Sequence, residues 1–241
     1  MEELHIIQKI VIMAPPLIFA IVLHEVAHGW VADKLGDNTA RSMGRLTLNP
    51  ISHIDLFGTI IMPLMLFFAT NGSMLFGYAK PVPINPYNFK NPKKGMALSS
   101  MAGPGINMIM AISFAFLLRA VISPLEGMFP KQSWNMIALP ITLMLGYGVL
   151  INVVLAVLNM IPIPPLDGSR IVYWLLPDKQ AALYYRLEPF IIKGFMYLIV
   201  LDIILNMLQI KNIFSVFGFL SLIMTPVIRL ILSLLLGGNI L

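Results

Sequence analysis

His24 and His28 stand four residues apart in the run Leu23-His24-Glu25-Val26-Ala27-His28, inside a long apolar stretch. On an α-helix that spacing points both imidazoles from one face. Two nitrogens so placed suit one Zn²⁺, and Glu25 beside them suits a general base acting on water. On a soluble helix such a run often means nothing. Within a lipid-spanning segment ionisable side chains are costly, so three of them in five positions mark a functional site.

Three protein ligands and one open position make a catalytic zinc site. The chain has no cysteine, so the third ligand must be His, Asp or Glu. The membrane-depth carboxylates are Asp167, in Asn159-Met160-Ile161-Pro162-Ile163-Pro164-Pro165-Leu166-Asp167-Gly168, and Asp202 in an apolar run. Asp167 is the better candidate, because the prolines forbid a continuous helix and Gly168 allows a tight turn or close approach. Asp202 can serve as an outer partner of a ligand, a helix-packing group or a water-facing residue.

The elements that must position these groups belong to a membrane protein. Of 241 residues 58% are hydrophobic and 11% charged, against about 25% charged in a typical soluble domain. Several stretches reach the ~20 apolar residues needed to cross a bilayer. The net charge of +5 is spread over loops, which fits anionic lipid head groups rather than nucleic acid. The acidic start at Glu2 and Glu3 does not resemble a cleaved signal peptide. We expect one integral-membrane domain over residues 1–241, an all-α polytopic fold of five to six transmembrane helices.

Apolar helices are expected over 4–31, 96–121, 134–158, 190–208 and 213–236. Residues 41–48 read as a small membrane-associated β-hairpin, and the proline-rich stretch 77–86 as extended chain. The run 56–69 is shorter, contains Pro63 and precedes the turn signal Asn71-Gly72. Loops 33–53, 78–95 and 170–193 carry the Lys and Arg excess, which places them in the cytoplasm. Run 56–69 must then dip in and return on one side as a re-entrant segment. The N-terminus falls outside, the C-terminus inside, and the histidine pair near the cytoplasmic end of the first helix.

Three ordered motifs carry a family resemblance: His24-Glu25-Val26-Ala27-His28, Ala102-Gly103-Pro104-Gly105-Ile106-Asn107 and Asn159 through Gly168. Together they resemble the signature motifs of the site-2 proteases, intramembrane zinc metalloproteases. The stretches Gly44–Pro50 and Ala79–Asn85 are similar to a compact prokaryotic branch of that family without PDZ or CBS domains. The resemblance implies one zinc per chain, held by His24, His28 and Asp167, with Glu25 activating water. It implies Asn159 near the substrate or oxyanion. Asn107 reads two ways: an amide bonding across helices that pack on Gly103 and Gly105, or a substrate contact. Asn152, seven residues before Asn159, reads as interhelical glue. His5 and His53 read as interfacial or loop residues.

The implied activity is hydrolysis of peptide bonds within or near transmembrane segments of membrane proteins. The implied location is a prokaryotic cytoplasmic membrane, with the active site toward the cytoplasm. An unwound substrate could add as a strand to the extended segments 41–48 and 79–85. A membrane metal-ion transporter would need further carboxylates or histidines along a path, and the chain supplies few. A non-proteolytic scaffold of the same fold has no need of Glu25.

Overall fold

The computed structural model describes residues 6–62, 64–65, 77–125, 127–208 and 215–237. In lipid a backbone must satisfy its N–H and C=O groups internally, so the apolar runs become helices. They are α1 (Ile6–Lys34), α2 (Pro92–Phe116), α3 (Leu139–Asn159), α4 (Gly168–Leu175), α5 (Asp178–Met207) and α6 (Val216–Leu236). Local chemistry sets their ends. Asn91 caps α2 by accepting from the Lys94 N–H at 3.0 Å, with Pro92 in the first turn. Ser215 caps α6 by accepting from the Gly218 N–H at 3.0 Å. Pro162, Pro164 and Pro165 follow α3 and cannot extend it.

Helices α1, α2 and α3 pack on one another, α6 lies on α2 and α3, and α4 leans on α2. Hydrophobic burial gives little drive between helices in lipid, so close approach through small residues matters more. Ala111 and Ala115 of α2 meet Val149 and Val153 of α3 and Leu232 of α6. A Cβ at Gly148 would lie 2.6 Å from the Phe114 ring, so glycine there sets the α2–α3 spacing. Large apolar side chains such as Ile109, Phe116, Leu230 and Leu234 are exposed on the outer faces, where lipid would cover them.

Four helices among the described residues are long and apolar enough to cross a membrane: α1, α2 with its π-helical extension to Ile122, α3 with the turn from Trp134, and α6. The expected crossing at 190–208 is instead the second half of the 30-residue helix α5. Asp178, Lys179, Arg186 and Glu188 fall in its first half, and α5 is not among the four. Four candidate spans are thus shown among the described residues, and the expected five to six are not confirmed.

The expected β-hairpin does not appear: no strand occurs among the described residues. Thr39–Ser42 forms a helical turn, and Asn85 follows an extended stretch without a ladder. Pro81 and Pro83 have no N–H to give one. The remaining donors turn elsewhere: Tyr78 N–H to Gly58 O at 3.0 Å, Lys80 N–H to His53 O at 2.9 Å, and Val82 and Asn85 N–H to carboxylates.

Those same bonds bear on the run 56–69. Leu56–Ile61 is a π-helical turn capped by Asp55, which accepts from the Gly58 N–H at 2.7 Å. The hydroxyl of Thr59 donates to Tyr78 O at 2.8 Å. Asp37, fully buried, accepts from the Asn85 N–H and the Asn88 amide, both at 2.7 Å. The chain is thus at Gly58 and again beside it at Tyr78. Pro63, the end of the run and the Asn71-Gly72 turn lie outside the described residues.

Candidate metal centre

Helix α1 presents His24 and His28 on one face with their Nε2 atoms 2.9 Å apart. Helix α2 runs antiparallel against that face and receives the opposite side of each ring. His28 Nδ1–H donates to the Ser99 carbonyl at 2.7 Å, and the Ser99 hydroxyl returns a bond to His28 O at 2.8 Å. His24 Nδ1–H donates to Asn107 Oδ1 at 2.6 Å. Ser99, Gly103 and Asn107 stand at four-residue spacing, one stripe of α2 matched to the histidine pair. A Cβ at Gly103 would lie 2.4 Å from His28 Nε2 and 2.6 Å from His24 Cε1. Only glycine lets α2 come this close.

Asp167 enters from the proline-held turn between α3 and α4. Its Oδ2 lies 3.2 Å from Nε2 of each histidine. The turn closes tightly because residue 168 has no side chain: a Cβ there would lie 2.3 Å from Met160 O. Arg170, three residues on, makes two hydrogen bonds with Glu188 of α5, at 2.9 and 2.7 Å. That fork ties α4, and the carboxylate that precedes it, to α5.

Three donor atoms therefore converge, Nε2 of His24, Nε2 of His28 and Oδ2 of Asp167. Both Nδ1 atoms carry their protons toward acceptors, so both Nε2 atoms turn lone pairs inward. Asp167 Oδ2 is buried and has no hydrogen-bond partner among the described residues. Two lone pairs and an anionic oxygen at this range repel one another unless a cation holds them. Tetrahedral zinc with bonds of about 2.0 Å separates its ligands by ~3.3 Å, close to what these atoms show. The residues fit zinc, and three ligands leave a fourth position open.

Glu25 points to a different neighbour, accepting from the Val82 N–H at 2.8 Å. The extended segment can reach it because residue 29 is glycine; a Cβ there would lie 2.7 Å from Val82 Cγ1. Arg45 holds the same segment by donating to Lys80 O at 2.9 Å. The Asp37 network anchors its far end. Burial pushes the Asp37 carboxyl up, but the bonds from Thr39, Asn88 and Asn85 outweigh it and hold the group below the ordinary carboxylate range.

The chain matches the family model of peptidase family M50 over residues 12–201. The chain belongs to this family. Among its relatives is YwhC of Bacillus subtilis, provisionally named a zinc metalloprotease, 38% identical over 77% of this chain and 77% of its own length. Rip2 of Mycolicibacterium smegmatis carries the same provisional name and is 31% identical over 69% of this chain. Rip2 of Mycobacterium tuberculosis strain Erdman is 28% identical over 71% of it. The match spans 58% and 63% of those two mycobacterial proteins. No solved structure matches the chain significantly.

His24, His28 and Asp167 form the one group among the described residues of this M50 chain that could hold a metal ion. The two asparagines stand differently. Asn107 is fully buried, and its Nδ2 donates to Ala20 O at 3.2 Å and Asn152 Oδ1 at 2.7 Å. With Oδ1 on His24, both amide hydrogens engaged and the side chain sealed between helices, the structure favours the bonding-across-helices alternative. Asn159 is half-buried at the end of α3 and donates to Leu155 O at 3.0 Å, leaving its Oδ1 and one N–H for other uses. Asp202 is buried away from the cluster and accepts from the Ser215 hydroxyl at 2.8 Å, a packing role between α5 and α6. His53 is buried in the turn Pro50–His53 and donates from Nε2 to Thr47 O at 2.9 Å. His5 lies outside the described residues. Ser99 carries no motif signal of its own; its spacing from Gly103 and Asn107 is the one clue the sequence holds.

Proposed function

We propose that this M50 protein is an intramembrane zinc metalloprotease in which His24, His28 and Asp167 hold the zinc and Glu25 is the general base. The convergence of three donor atoms, with both imidazole tautomers fixed from behind, carries that reading. Bound there, zinc supplies a Lewis acid that polarises a scissile carbonyl and lowers the pKa of water to roughly 7. Glu25, oriented by the Val82 N–H, takes the proton of the attacking water and delivers it to the leaving amine. Asn159 has a free N–H with which to meet the developing oxyanion, a contact worth about 3 kcal/mol in other enzymes. The substrate is a transmembrane segment that unwinds locally, since a helix hides its amides in internal bonds. The donors and acceptors of residues 77–85 are largely engaged within the protein, so strand addition there would have to use what remains, such as the Ala79 edge. The basic loops face the cytoplasm of a prokaryotic cell and place the site toward that side, with anionic lipid against the loops.

Reconstitution of the zinc-loaded protein with a single-pass peptide in liposomes tests this. We expect peptide fragments, their loss with a chelator and their return with zinc. A metal transporter would instead move zinc into sealed vesicles and leave the peptide whole.

A further inference from the structure

We propose that Asn152 of α3 is a positioning residue that decides which ring nitrogen of His24 is free for the metal. The proposal rests on the zinc reading of the site. Asn107 alone does not fix the tautomer of His24, because a carboxamide rotated by half a turn presents N–H₂ where it presented oxygen. The rotation would oppose a donor to His24 Nδ1, move the ring proton to Nε2 and turn an N–H toward the metal position.

Neighbours that can only accept remove this choice. Gly148 O, a helix carbonyl, lies 2.8 Å from Asn152 Nδ2. That contact assigns the nitrogen of Asn152 to Gly148 and its oxygen to Asn107, 2.7 Å away. Ala20 O, a second helix carbonyl, lies 3.2 Å from the same Asn107 nitrogen. Asn107 must therefore turn its oxygen to His24, 2.6 Å from Nδ1. The polarity runs from the backbone of α3 through two side chains to the lone pair on Nε2. Asn107 and Asn152 are fully buried and His24 nearly so, so bulk water does not reach these bonds. A role in helix packing alone would predict lost stability without a specific effect on the metal.

The test is zinc affinity of the purified full chain by chelator competition, with folding followed separately by thermal unfolding. Groups that orient metal-ligating histidines typically change metal affinity 10–100-fold when removed. We expect Asn152→Leu to weaken zinc by about that factor, and Asn152→Ala to do the same if the leucine variant does not fold. Asn152→Asp is expected to rescue binding, since a carboxylic acid kept protonated in the dry core can donate to Gly148 O and accept from Asn107. Val153→Ala, which opens a cavity next door, is expected to lower the unfolding temperature and leave zinc affinity unchanged. In ¹⁵N-histidine spectra of the apoprotein, His24 should read Nδ1–H in the wild type and shift toward Nε2–H in Asn152→Ala. Wild-type affinity and tautomer in a folded Asn152→Ala or Asn152→Leu variant, or equal weakening in Val153→Ala, overturns the proposal. A wild type that holds no zinc overturns the zinc reading itself, whatever the variants do.

Discussion

At the scale of single residues, the site was legible where chemistry and local spacing coincide. The four-residue step from His24 to His28 sets both rings on one face before any partner is known. Prolines and Gly168 force an irregular, close-packed backbone at Asp167 that the run around Asp202 lacks. Asp167 Oδ2 lies 3.2 Å from both imidazoles. What spacing could not give is the other side of each ring. Ser99, Asn107 and Asn152 come into place only when three helices pack, and no periodicity reports that meeting. The two aspartates make a direct prediction. Asp167→Ala is expected to lower zinc occupancy sharply. Asp202→Ala is expected to keep it, and to lose stability by removing the acceptor of the Ser215 hydroxyl. Metal analysis and thermal unfolding of the two purified variants separate these outcomes; zinc lost only from Asp202→Ala would move the third ligand to α5.

At the scale of elements, helices and the extended stretch before Asn85 were readable, and the hairpin at 41–48 was not. Residues 41–48 alternate enough to suggest a strand, yet no neighbouring strand has free donors, because Pro81 and Pro83 lack them. The N–H groups of Tyr78 and Lys80 serve backbone carbonyls and those of Val82 and Asn85 serve carboxylates, and this gives the segment 77–85 its use: one of them orients Glu25. Val82→Pro removes that donor in a chain already held extended by flanking prolines. A hydrogen bond to a charged group is worth about 1.5–3 kcal/mol, so peptide cleavage should fall about tenfold or more while zinc content holds. Cleavage at the wild-type rate would show that Glu25 needs no such support. Asp37 anchors the other end, and its depressed pKa has a defined consequence. A carboxylate lowered on folding adds stability that is fully present above its unfolded value, near 3.9, and is lost as pH falls through the folded value. The unfolding-temperature gap between wild type and Asp37→Asn should therefore be wide at neutral pH and close below that range. A gap independent of pH would contradict the anchoring role of the charge.

At the scale of the whole molecule, composition predicted a membrane protein, and four helices can span one. The fifth expected span, 190–208, lies in the second half of α5 and is not among those four. Loops 33–53 and 78–95 carry three and four Lys or Arg, and both should face the cytoplasm. The chain has no cysteine, so Ser42→Cys and Lys90→Cys, both at exposed positions, can be labelled cleanly in intact cells with an impermeant thiol reagent. Neither should react until the membrane is opened. Reaction of one alone would make the run between them a full crossing and invert every later helix.

The central claim is that zinc and Glu25 act together but hold separate roles. Glu25→Gln keeps the size of the side chain and its ability to accept from the Val82 N–H, yet an amide cannot take a proton from water. Zinc content and cleavage of a co-expressed single-pass peptide, measured on the same preparation, read both roles at once. The variant is expected to hold one zinc per chain and to leave the peptide uncut, and cleavage at the wild-type rate would contradict the account.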